Sequence, residues 1–136
     1  MSNELRNILS DKNQYLIEIY DIVKRYAIEL GIGEYIKDKT NYILTNKLKG
    51  MTGKILTQTV FCFKLAYILE IKKKYNIDLP IIIDSPKTNE LSDKATNDML
   101  RILSRDFKKH QIIMASIYQF NDIKMKIIEM HKNLFY

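Results

Sequence analysis

Two short apolar runs in this chain end on groups that can handle a phosphate. Leu79-Pro80-Ile81-Ile82-Ile83-Asp84 closes on a carboxylate, and Ile112-Ile113-Met114-Ala115-Ser116 closes on a hydroxyl. Runs of this length and composition read as strands buried on both faces, and the polar helix start between them makes a parallel β-α-β unit. Ligands of such sheets sit beyond the carboxyl ends of the strands, where Asp84 and Ser116 fall. A carboxylate fixed there can orient magnesium through a water beside bound phosphates. The plainer alternative is a turn-forming aspartate, a common residue at strand ends.

A second candidate lies upstream. Lys49-Gly50-Met51-Thr52-Gly53-Lys54 is a glycine-bearing loop ahead of a helix expected from Ile55 to about Lys74. Such a loop offers free backbone N–H groups to an anion, although it can equally do no more than cap the helix. Gly53-Lys54 looks like the end of a P-loop, G-x-x-x-x-G-K-[ST]. Leu48 stands where the first glycine belongs, however, and Ile55 where a magnesium-binding hydroxyl belongs, so the chain has no Walker A motif.

The elements that must position these groups are legible in outline. Leu9, Leu16, Val23 and Leu30 recur every seven residues, with Ile19 and Tyr26 between them and Lys12 breaking the pattern once. That stripe fits a coiled-coil foot or an ordinary helix packed on its domain. Gly31 and Gly33 supply a C-cap and turn. Tyr35-Ile36 and Tyr42-Ile43-Leu44 fit short strands or a helix. Between Val60 and Ile71 the next helix is apolar on nearly every side, which requires burial. Lys72-Lys73-Lys74 closes it, where cations suit the helix dipole. Ser92-Asp93 reads as an N-cap with an acid in the first turn, and Ala95, Met99, Ile102, Leu103 and Phe107 form a buried stripe ending near Lys108-Lys109-His110. Tyr118 to Asp122 reads as loop. Met125, Ile127 and Met130 suggest a third strand.

Composition sets the outer bounds. A chain of 136 residues is one domain or part of one. Its net charge of +6 and isoelectric point near 9.3 suit nucleic acid or nucleotide phosphates, although many proteins without such partners share them. The single Cys62 forms no internal disulfide, which suits a reducing cytoplasm, and its apolar helix makes it a buried structural thiol. The start of the chain has no signal peptide, and the longest apolar stretch is too short for a bilayer. His110 and His131 have no cysteine or acid at metal-ligand spacing, and no Ser-His-Asp arrangement is legible.

Taken together, the motifs resemble the C-terminal part of the ATPase head of ABC-type proteins of the SMC and RecN-like group. Met51-Thr52-Gly53-Lys54 aligns with the signature tetrad and Phe63-Lys64-Leu65-Ala66 with the pattern on the following helix. Ile81-Ile82-Ile83-Asp84 aligns with Walker B, Asn89-Glu90-Leu91-Ser92-Asp93 with the D-loop, and Gln111 to Ser116 with the switch strand. The resemblance covers roughly residues 10 to 130. It implies an α/β fold, the C-terminal lobe of a P-loop NTPase-like head, with parallel strands flanked by helices. Residues 1–33 would be a coiled-coil-like stalk helix and 34–136 the lobe. It further implies ATP and magnesium as cofactors, with Asp84 supporting the metal, and Thr52, Gly53 and Lys54 contacting the γ-phosphate of a second head. Ser116 would sit at the usual histidine position. Ser85 replaces the glutamate that polarises the attacking water, a role open to Glu90, for which a solvated loop acid is the plainer reading.

The resemblance also implies a missing half. The Walker A strand, P-loop and Q-loop precede the coiled coil in that architecture, so the expected partners are a Walker A-bearing half and a second head. Families with D-S-P at Walker B are often DNA-associated ATPases of repair or anti-phage defence. The competing expectation is a non-enzymatic basic α/β module that binds DNA or a partner protein. A stand-alone phosphate-binding enzyme is a third.

Overall fold

The computed structural model describes residues 13–37, 51, 53–84, 91–116 and 126–128. Helix α1 (Gln14–Glu29) leads through a 3-10 turn (Gly33–Tyr35) toward helix α2 (Gly53–Tyr75). Strand β1 (Ile81–Asp84), helix α3 (Asp93–Asp106) and strand β2 (Ile112–Ala115) follow. The architecture is α/β, with three helices and a two-stranded parallel sheet among the described residues.

Local chemistry explains each boundary. The side chain of Asn13 accepts from the Tyr15 N–H at 3.0 Å and starts α1. The helix stops in a Schellman arrangement, with Gly31 N–H donating to Ile28 O and Ile32 N–H to Ala27 O. Gly31 makes this possible by adopting φ +72. Lys24 Nζ then donates to the carbonyls of Gly33 (3.1 Å) and Ile36 (3.0 Å), tying the turn back onto α1. This segment, open between strand and helix in the sequence, is the 3-10 turn. Tyr42 to Leu44 lie outside the described residues.

Helix α2 begins at Gly53, two residues before the sequence places it, with φ +57 at that glycine. It ends at Tyr75, and Asn76 takes the left-handed conformation (φ 54) that a short polar side chain tolerates. Gln58, Phe61, Cys62, Leu65 and Ala66 form a buried stripe at helical spacing. The expectation of burial on nearly every side is thus too broad: Tyr67, off that stripe, remains 41% exposed. In α3 the Ser92 hydroxyl accepts from the Ala95 N–H, and Ala95, Met99, Ile102, Leu103 and Phe107 are all buried as the stripe predicts.

One core joins these elements. Val23, Tyr26, Ala27 and Leu30 of α1 pack with Ile32, Ile36, Cys62, Leu65, Ile81, Ile102, Leu103 and Phe107, and α1 lies chiefly against α2. Burial of each large side chain contributes about 1.5–3 kcal/mol before entropy is counted. The heptad stripe is a packing stripe along its described length, while Leu9 and Lys12 lie outside the described residues.

The sheet departs from expectation in one respect. Its strands pair in parallel, Ile81 opposite Ile112 and Asp84 opposite Ala115. Ile81, Ile83, Ile112 and Met114 pack on the core, yet Ile82 is 70% exposed and Ile113 48% exposed. The two strands are therefore buried on one face, not both. The helices supply a layer on that face alone, so alternate side chains have nothing described to pack against. Lys126–Ile128 is neither helix nor strand and is exposed, so no third strand forms there; Met125, Met130 and residues 118–122 lie outside the described residues.

Candidate functional site

The parallel register decides the geometry of the strand ends. Asp84 is the last residue of β1 and faces Ala115, the last residue of β2, on the neighbouring strand. Adjacent strands lie about 4.8 Å apart, so the backbones of Asp84 and Ser116 come together at one end of the sheet. Both residues are exposed there. Residues 84 and 116 lie 32 positions apart in the sequence, and their meeting depends on α3 returning the chain to the start of β2.

The opposite end of the sheet is held by specific contacts. The Ile81 N–H donates to Gln111 O at 2.8 Å, and His110 Nδ1 lies 2.9 Å from Leu79 O. The His110 ring packs tilted on Phe107, at 5.3 Å between centroids, and Phe107 is wholly buried at the C-cap of α3.

The other sequence candidates divide between described and undescribed residues. Gly53 and Lys54 form the first turn of α2, whose leading N–H groups have no helical acceptor of their own. Lys54 is exposed, and Thr57 turns its hydroxyl back to the Gly53 carbonyl at 3.3 Å. Ser92 and Asp93 start α3, and Leu91 before them is buried. Thr52, Ser85 and Glu90 lie outside the described residues. Gly53 and Lys54 thus belong to a different element from the strand-end pair Asp84 and Ser116.

Two ionic clusters escaped the sequence reading. In the first, the buried Tyr26 hydroxyl donates to Asp106 Oδ2 at 2.9 Å, and Arg105 bridges Asp106 to Glu29 with contacts of 2.7 Å to each. The Arg105 hydrogen bond, helped by that from Tyr26, holds the Asp106 carboxyl below the usual carboxylate range. Burial, then the Asp106 carboxylate, pushes the Tyr26 phenol up. In the second cluster, Lys72 Nζ lies 2.8 Å from Asp78 Oδ2, and His110 Nε2 lies 3.5 Å from Asp78 Oδ1. No periodicity marks either cluster, because each joins residues on elements far apart in the chain. Glu18 pairs with Lys73 between α1 and α2, and burial raises the nearby Glu70.

Comparison of the chain with family models, with curated proteins and with solved structures finds no match. Among the described residues, no helix is long and apolar enough to cross a membrane, and no group of three or more His, Cys, Asp or Glu could hold a metal ion.

Proposed function

We propose that this chain is the C-terminal half of an ATP-binding head of the SMC and RecN-like ABC type. The observation that carries the reading is the parallel pairing of β1 with β2. It brings Asp84 and Ser116 to the same carboxyl end, as Walker B and switch residues must be to reach one phosphate. The order of the elements supports it as well: glycine-bearing helix start, acid-terminated strand, capped helix, second parallel strand.

The donor set fits magnesium better than a dedicated metal cage. Magnesium is commonly held by one or two carboxylates together with substrate phosphates, and Asp84 is a single exposed carboxylate at a strand end. Asp84 would support the cation and Ser116 would hydrogen-bond the terminal phosphate. Thr52 and the N–H groups of Gly53 and Lys54 would meet the γ-phosphate held by another head, where fixed dipoles stabilise developing charge. ATP with magnesium supplies the bond to be cleaved. Ser85 cannot polarise water as a glutamate does, so Glu90 of the D-loop segment takes that role or hydrolysis is slow. The setting is DNA repair or anti-phage defence in the cytoplasm.

The test is ATP-dependent capture. Tagged full-length chain is incubated in lysate of its own cells with magnesium and a non-hydrolysable ATP analogue, and bound proteins are identified by mass spectrometry. The expected result is a protein carrying G-x-x-x-x-G-K-[ST], lost with Asp84→Ala and Thr52→Arg and absent without nucleotide. Capture of the same proteins by both variants would instead favour a non-enzymatic interaction module.

A further inference from the structure

The end of the sheet opposite Asp84 carries a second surface that the ATPase reading does not use. Two lysine runs far apart in the sequence, Lys72-Lys73-Lys74 and Lys108-Lys109, each bring one member, Lys72 and Lys109, to act on the same carboxylate, Asp78. Lys72 binds Asp78, and His110 reaches the other Asp78 oxygen while its second ring nitrogen sits on the Leu79 carbonyl. The hydrogen bond from Lys72, then the charges of Lys72 and Lys109, hold the Asp78 carboxyl below its usual range. The end of α2 and the Lys108–His110 turn thus meet at Asp78.

Its lysines are not equivalent. Lys72 is paired with Asp78 and Lys73 with Glu18. Among the described residues, Lys74, Lys108 and Lys109 are in no ion pair. Lys74 lies instead over the rings of Tyr15 (4.6 Å) and Tyr75 (5.4 Å), which are 55% and 59% exposed. Helix dipoles account for lysines at the ends of α2 and α3. They do not account for two half-exposed tyrosines gathered around the lysine that has no acid.

We propose that this surface binds single-stranded nucleic acid, with Lys74, Lys108 and Lys109 on phosphates and the rings of Tyr15 and Tyr75 stacking on unpaired bases. Sequence-tolerant binding of single strands combines these two features: a cationic track along the backbone and aromatic faces for the bases. Duplex DNA keeps its bases stacked inside and would engage the lysines alone. An acidic protein or an anionic membrane would engage the lysines but would offer no unpaired base to stack on the rings.

The test is fluorescence anisotropy of the full chain, without nucleotide, on a labelled oligothymidylate, its duplex with oligoadenylate, and heparin as competitor. The single strand is expected to bind at least tenfold more tightly than the duplex. Three phosphate contacts give a slope of log affinity against log salt of about −2. Tyr75→Ala is expected to weaken the single strand about tenfold, as loss of one stacked base does, and to leave duplex binding unchanged. Lys108→Glu with Lys109→Glu should flatten the salt slope for both. Equal binding of strand and duplex, or a Tyr75→Ala variant that binds like wild type, overturns the proposal and leaves a plain polyanion or acidic-partner surface. The Asp84→Ala variant should bind the oligonucleotide normally, so failure here is distinguishable from failure of the ATPase reading.

Discussion

Tyr26→Phe isolates one hydrogen bond that joins the last turn of α1 to the end of α3. Tyr26 is wholly buried on α1, and its hydroxyl donates to Asp106 at the end of α3 over 2.9 Å. A hydrogen bond to a charged acceptor contributes about 1.5–3 kcal/mol. Two features reduce that figure: the Asp106 side chain is 26% exposed, and Arg105 remains bonded to it. The expected loss is therefore about 1 kcal/mol, or a fall in Tm of about 3–5 °C for a domain of this size. Because Arg105 and Tyr26 hold the Asp106 carboxyl low, the stabilisation it gives is present above the unfolded-state value, about 3.9, and is lost as pH falls through the folded one. The difference between wild type and Tyr26→Phe should thus be full at pH 7 and shrink below about pH 4. Urea denaturation at both pH values, with Asp106→Asn completing a double-mutant cycle, measures it. An unchanged midpoint at pH 7, or a difference that persists in acid, would refute the hydrogen-bond argument and point to packing.

Other expectations follow from single features. Gly31→Ala should cost about 1 kcal/mol by urea denaturation: nothing lies within 4 Å of the added methyl group, so the positive φ alone opposes it. Ser92→Ala removes the cap on the Ala95 N–H and should cost about 1 kcal/mol in the same assay. Burial pushes the Cys62 thiol up to about 12, so iodoacetamide at pH 8 should leave the folded chain unmodified and alkylate it once in denaturant, as intact mass will show.

Much of this architecture was legible because local rules and tertiary packing agree. The α3 stripe and its Ser92 cap were placed correctly, since a strongly amphipathic helix with a hydroxyl start has few alternatives. The two strands and their parallel pairing followed from their apolar runs and the helix between them. Burial on both faces did not follow, because it needs a second layer that no local pattern specifies, and Ile82 and Ile113 are left exposed. Periodicity along α2 overstated burial for the same reason: a helix apolar all round still packs only where neighbours exist. The Asp78 cluster was the least legible part. Lys72 and His110 each have an ordinary local explanation, and only the fold shows that they share a carboxylate. At the candidate site, the sequence identified Asp84 and Ser116, and the register shows that they meet.

Half-site character is the central claim, and ATP turnover measures it most directly. Wild type and Asp84→Ala are assayed with magnesium, alone and with the Walker A protein captured in the presence of nucleotide. No turnover is expected from the chain alone. With the partner present, turnover should exceed that of the partner by itself and fall at least 100-fold in Asp84→Ala. Turnover by the isolated chain that disappears in Asp84→Ala would contradict the claim, since the site would then be whole.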